Sequence, residues 1–231
     1  MINQNQWRSS LLIISSISIN LAVASTLIFP AVGNRLTADF QFPESFSLNS
    51  SSAIAVKSNL NQLKASDLAP EVIKTRQKYQ YVLNEQEIDL EISYLVGTRG
   101  DVQTYLQNYT SLPASIIQAQ KIKHNDQTGF YTLFSDENRA YLSSCISPRS
   151  PSSVTQRQFS QYRYQHDFKF QVGLDWLKGK ESIRDRRCLW VHLSTGITQS
   201  DQAAYQVLEA VWVDLYQWWL PNFPPLTAEN S

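Results

Sequence analysis

From Ser9 to Asn34 the chain carries no charged residue, and from Leu11 to Val32 it is mostly Leu, Ile, Ala and Val. At about 1.5 Å of rise per residue, a helix of that length crosses the roughly 30 Å apolar layer of a bilayer. Arg8 precedes the run, and Trp7 is placed to rest at the interface. Two readings compete. As a single-pass anchor the helix extends from about Leu11 to about Phe29 and stays in the membrane. As a cleavable signal the apolar run ends near Leu21, and Ala22-Val23-Ala24 supplies a small-residue cleavage site. Asn20 with Ser15, Ser16, Ser18 and Ser25 lowers the hydrophobicity, whereas Thr26-Leu27-Ile28-Phe29 prolongs the run. A buried core helix is a third option. Arg8 and the terminal amine on one side barely outweigh Arg35 and the more distant Lys57 on the other. A short basic leader nonetheless leaves the long C-terminal part on the extracytoplasmic side of the plasma membrane.

The remainder has the composition of a folded domain. Hydrophobic residues make up 42% and charged residues 17% of the 231 residues, too apolar for a disordered chain. Twenty basic and 20 acidic residues cancel, which removes the electrostatic footprint of a nucleic-acid binder. The expected division is a leader at 1–8, an anchor or signal segment at 9–34, a linker at 35–69, one domain at 70–225 and a tail at 226–231. Within the linker, Phe40, Phe42, Pro43 and Phe46 are candidates to cover the domain surface, and Ser47 to Ser52 reads as flexible.

Periodicity predicts an α+β domain with a mainly antiparallel sheet. Lys78–Leu83 and Ile88–Val96 alternate as a hairpin, with Ile88, Leu90, Ile92 and Tyr94 on the core side. Asp89, Glu91 and Ser93 take the other side and read as a solvated face. Val102–Tyr109 has helical spacing behind Asp101. The stretch Ile116–Lys123 is open between helix and strand. Gly129–Phe134 and Arg139–Cys145 form a second hairpin, followed by a loop through Pro148 and Pro151. Thr155 caps a helix through Tyr162, with 164–170 left open, and Leu174–Gly179 is a short helical turn. In the segment Arg184–Ser194, alternation puts Cys188, Trp190 and His192 on one face and Leu189, Val191 and Leu193 on the other. The strongest helix is Asp201–Leu220, capped by Ser200 or Asp201 and stopped by Pro221. Its stripe is Ala204, Leu208, Val211, Leu215 and Trp219. Trp212, Tyr216, Trp218 and Trp219 are either core or an exposed docking surface.

No catalytic signature of known chemistry stands out. There is no glycine-rich phosphate loop, no CxxC and no HxxxH, so neither a cofactor nor a metal is expected. The two cysteines, Cys145 and Cys188, have three readings: a disulfide, packing thiols, or a reactive Cys145. In the reactive reading His192 or His166 is the base and Arg149 the anion binder.

The N-terminal span, Ser144-Cys145-Ile146 with Pro148-Arg149, Val154-Thr155 leading to Gln158-Phe159, the Arg184–Ser194 block and Tyr216-Gln217-Trp218-Trp219 together resemble one family. It is that of the cyanoexosortase A system-associated proteins, accessories encoded with cyanobacterial exosortases. More distantly the chain is similar to the exopolysaccharide-linked domain found beside or fused to bacterial exosortases. Those enzymes are multi-pass, with Cys, Arg and His in membrane helices. The resemblance therefore implies a membrane-bound exosortase partner rather than a sortase, and transfers no reaction to any residue here. Two function classes follow: a non-catalytic, membrane-tethered accessory protein, and a thiol-dependent enzyme of the same pathway with Cys145 as nucleophile. A secreted carbohydrate-binding domain using exposed aromatics is a third.

Overall fold

The computed structural model describes residues 4–28, 40–48, 51–56, 72–83, 86–167, 169–177, 182 and 184–226. Helix α1 (Gln4–Ile28) comes first. Strands β1 (Ser45–Leu48), β2 (Ser51–Val56), β3 (Val72–Leu83) and β4 (Gln86–Val96) follow, then helices α2 (Val102–Tyr109) and α3 (Ala114–Gln118). Next come β5 (Lys121–Asn125), β6 (Gly129–Asp136), β7 (Arg139–Ser147) and β8 (Ser150–Ser153), with α4 (Gln156–Asp167) and α5 (Phe170–Leu177) after them. Strand β9 (Arg187–Gly196) and helix α6 (Asp201–Trp219) complete the fold. The protein is α+β. Its 9-stranded sheet runs β1-β2-β3-β4-β9-β7-β8-β6-β5, with β7 also paired directly to β6. Every pairing is antiparallel except one β6–β8 bridge at Gly129 and Ser152.

The last strand in sequence occupies the middle of the sheet. β9 pairs with β4 on one side and with β7 on the other. Both of its faces are covered, which is why its burial is nearly continuous. Leu189, Val191 and Leu193 meet Leu208, Val211, Trp212 and Leu215 of α6 in one core. Cys188 and Trp190 face the other way and join Tyr105 and Leu106 of α2, Ile117 of α3 and Phe159 of α4 in a second core. The alternation read from Arg184–Ser194 thus separates the two layers.

Local signals explain the helix starts. Ser200 Oγ accepts the Ala203 amide at 3.2 Å, so Ser200 rather than Asp201 caps α6. Thr155 and Gln158 form a reciprocal capping box on α4: the Gln158 amide donates to Thr155 Oγ1, while Gln158 Oε1 accepts from the Val154 and Thr155 amides. That double closure carries α4 through 164–167, the stretch that periodicity left open. Asp101 stands at the N-cap of α2, yet its carboxylate accepts from the Thr104 hydroxyl instead of an amide.

Two expectations are corrected, and one open alternative is decided. The linker at 35–69 contains two strands, since β1 pairs with β2 and β2 with β3. Phe42 and Phe46 pack edge-on against Trp219, and Phe46 also lies 4.6 Å from Trp218. The serine-rich sequence misled because edge strands need little apolar side chain when a few aromatics dock the segment. The rest of that linker, 35–39, 49–50 and 57–69, lies outside the described residues, as do 29–34, Gly179 and 227–231. The expected loop after Cys145 is a tight hairpin, in which β8 pairs with β7 at Cys145–Ser153 and Ser147–Ser150. Pro151 falls in the irregularity between those pairs, where no ladder amide is required. Of the two readings of the α6 aromatics, core and docking surface, the interior one holds. Trp212 and Trp219 are fully buried, Tyr216 is buried, and Trp218 is half-buried against Phe46. Trp212 even spends its indole N–H on Thr128 Oγ1 at 2.9 Å. The wide aromatic stripe serves to reach across a broad sheet.

Among the described residues no helix is long and apolar enough to cross a membrane. Within α1, the described side chains from Trp7 to Leu21 are exposed, including Leu12, Ile14 and Ile19.

Candidate functional site

Register arranges the face opposite α6 in rows. Lys78 of β3 stands beside Glu91 of β4, Glu91 beside His192 of β9, and His192 beside Ser143 of β7. One row further on come Gln80, Asp89, Ser194 and Tyr141. In the opposite direction lie Arg76, Ser93, Trp190 and Cys145. The Trp190 row is sealed by α2 and α4. Toward the Ser194 row a hollow of about 330 Å³ opens, lined by Lys78, Gln80, Asp89, Glu91, His192 and Ser194. That size is at the lower end for small-ligand sites.

The hollow's charges are held in cross-strand pairs. Glu91 Oε1 meets Arg76 Nε at 2.9 Å and Glu91 Oε2 meets Lys78 Nζ at 3.3 Å. Arg139 binds Asp89 and donates to Ser194 Oγ at 2.8 Å. Glu91 therefore does not belong to a solvated face, because two cations from the adjacent strand cover it. Lys78, opposite Glu91 in the hairpin, with Arg76 two residues before it on the same face, was the signal that could have revealed this.

His192 sits among rings. Tyr141 stacks on it at 5.5 Å and Trp190 lies tilted at 5.8 Å. Its row neighbour Ser143 is already engaged, accepting the Trp190 indole N–H at 2.8 Å and donating to the Val191 carbonyl at 3.1 Å. His192 Nδ1 is buried with no hydrogen-bond partner among the described residues. Burial pushes the imidazole down to about 4, and repulsion from Arg76, Lys78 and Arg139 adds to the effect. His192 is neutral at pH 7.

The structure disperses the other candidate residues. Cys145 and Cys188 are joined in a disulfide with Cα atoms 5.6 Å apart, and both are fully buried. A sulfur bonded in this way offers no thiolate. His166 and Arg149 lie away from the hollow, at a cavity of about 20 Å³ that they share with Asp167, Asp185 and Arg163. That space holds about one water. Arg149 donates to the Ser182 carbonyl at 2.8 Å, a structural tie between the β7–β8 turn and the approach to β9. His166 lies in the last turn of α4, and burial lowers its pKa. No cluster of three or more His, Cys, Asp or Glu able to hold a metal occurs among the described residues.

Asp167 gives a pH test of this second cluster. Its carboxylate lies 3.4 Å from Arg163 and 3.8 Å from Arg149, contacts too long to offset its loss of water. Burial therefore raises it to about 6 despite both arginines. A carboxyl group raised above its ordinary 3.8 binds more protons folded than unfolded, so stability falls as pH rises from about 4 to about 6. Asp167→Asn is expected to be about 1–2 kcal/mol more stable than the parent at pH 7, with the difference vanishing below pH 4. Urea unfolding at the two pH values checks this. An equal effect at both would show that packing, not ionisation, is responsible.

Compared with known proteins, the chain matches no family model, no curated protein and no solved structure.

Proposed function

We propose that this chain is a membrane-tethered accessory protein of an exosortase-type protein sorting and export system, without catalytic activity of its own. The tether is α1 and the working part is the disulfide-closed α+β domain on the extracytoplasmic side of the plasma membrane. The observation that carries the reading is α1 itself, whose side chains from Trp7 to Leu21 find no cover on the domain. A row of exposed leucines and isoleucines along a helix is stable only in lipid or against another apolar helix. A multi-pass partner supplies both. The Cys145–Cys188 bond agrees with an oxidising compartment. The resemblance of the Arg184–Ser194 block and the other motifs to exosortase-associated proteins supports the choice of partner. In this reading the hollow beside His192 and Ser194 is the face presented to the sortase or its substrate.

Alkaline extraction of membranes, protease digestion from the extracytoplasmic side and affinity capture in mild detergent test the proposal together. The chain should stay with the membrane pellet, its domain should be digested from outside, and the exosortase should come down with it. Release by alkali without any co-captured exosortase would sink the proposal.

A further inference from the structure

Lys78, Asp89 and Glu91 line the hollow, and Arg76 and Arg139 pair with its two carboxylates. Arg139 is matched by Asp89, whereas Arg76 and Lys78 share the single carboxylate of Glu91. With His192 neutral, one positive charge is left over. Lys78 is the cation free to act on it, since its side chain is 45% exposed at the rim and its contact with Glu91 is the longer of the two. Behind it His192 lines the floor of the same hollow, and its Nδ1 has no hydrogen-bond partner among the described residues. Ser194 and Gln80 add a hydroxyl and an amide to the wall.

We propose that the hollow binds the carboxylate group of a small ligand, held between Lys78 and His192. A carboxylate carries the one charge that the surplus cation can balance. A phosphate would bring more negative charge against Asp89 and Glu91, which line the same space. Seated there, the carboxylate accepts from the Lys78 ammonium and from the imidazole, and so favours a protonated His192. The groups facing the ring are Arg76 and Lys78 from β3, Asp89 and Glu91 from β4, and Arg139 and Tyr141 from β7. Burial, with Arg76, Lys78 and Arg139 adding to it, keeps the ring neutral without ligand, and the ligand's charge opposes both. Binding should therefore tighten about tenfold between pH 7 and pH 5, as a nearby opposite charge raises a histidine by about two pH units.

The inference rests on the hollow being the domain's binding face, but not on the exosortase or on α1. Titrating the purified full chain in detergent micelles, with the His192 ring resonances as readout, separates it from the co-capture experiment. The probes are glucuronate and N-acetyl-trialanine, each a free acid, with glucose and N-acetyl-trialanine amide as neutral counterparts. At least one acid should shift the His192 resonances saturably, while its neutral counterpart does not. Which acid responds distinguishes a sugar acid from a peptide C-terminus as the source of the carboxylate. Lys78→Gln, at an exposed position, should weaken that binding about tenfold, and His192→Gln should remove its pH dependence. No shift with either acid, an equal shift with the neutral counterparts, or undiminished binding by Lys78→Gln would overturn the proposal.

Discussion

Asp185→Ala is expected to destabilise the domain by about 3–5 kcal/mol, a loss typical of a buried ion pair deprived of one partner. Asp185 grips Arg187 through two bonds, Nε to Oδ1 at 2.8 Å and Nη2 to Oδ2 at 2.6 Å, and also accepts the Arg187 amide at 3.1 Å. The two side chains are 5% and 7% exposed, so no water replaces the lost carboxylate. Arg187 additionally donates to the Pro224 carbonyl and lies over the Phe223 ring. The cluster thus pins the start of the central strand to the segment that follows α6. Truncating Asp185 strands a guanidinium charge and loosens that segment, whereas replacing both partners with apolar residues removes the stranded charge. The double variant Asp185→Leu/Arg187→Met should accordingly recover most of the loss. Urea unfolding followed by tryptophan fluorescence measures both. Equal losses in the single and double variants would mean that the pair acts through shape rather than charge.

Removing the Cys145–Cys188 bond should cost about 4 kcal/mol, the loop-closure entropy of cross-linking residues separated by 43 positions. The closed loop contains β8, α4 and α5, all of which the unfolded chain would otherwise be free to disperse. The paired variant Cys145→Ala/Cys188→Ala keeps the register between β7 and β9 and leaves two small gaps in the second core. Since both cysteines are fully buried, a reductant should act on the parent only after unfolding. Equilibrium unfolding of the variant and parent tests the magnitude. A difference under about 1 kcal/mol would show that the denatured chain is already compact around this segment.

These two features sit at opposite ends of what sequence reasoning reaches. Alternation in Cys188-Leu189-Trp190-Val191-His192-Leu193 places each side chain on its observed layer, because a strand allows no other arrangement. The α6 stripe at Ala204, Leu208, Val211, Leu215 and Trp219 is legible for the same reason, as are the Ser200 and Thr155 caps. Period and capping are local, set by a few covalently linked neighbours. Strand order is not. Nothing between Arg187 and Gly196 states that β4, encoded far earlier, lies beside it. That pairing puts Glu91 next to His192 and so creates the hollow. It also decides that Trp212 and Trp219 are core, since burial depends on what the helix is laid against.

The candidate residues divide along the same line. Cys145, Cys188, His192, His166 and Arg149 were recognisable as unusual by residue type alone. Their grouping was not: His192 joins Lys78 and Glu91, whereas Arg149 and His166 join Asp167 and Asp185 at a separate cavity. By itself the sequence determines the strongly periodic elements, the two-sided β9 and the apolar N-terminal run, all of which follow from short-range sterics and hydrophobic period, whereas β1, β2 and β8 form through pairing their own sequences do not announce. The tertiary structure alone decides which sulfur, ring and charge become neighbours, because those contacts are made across strands that only long-range pairing brings together.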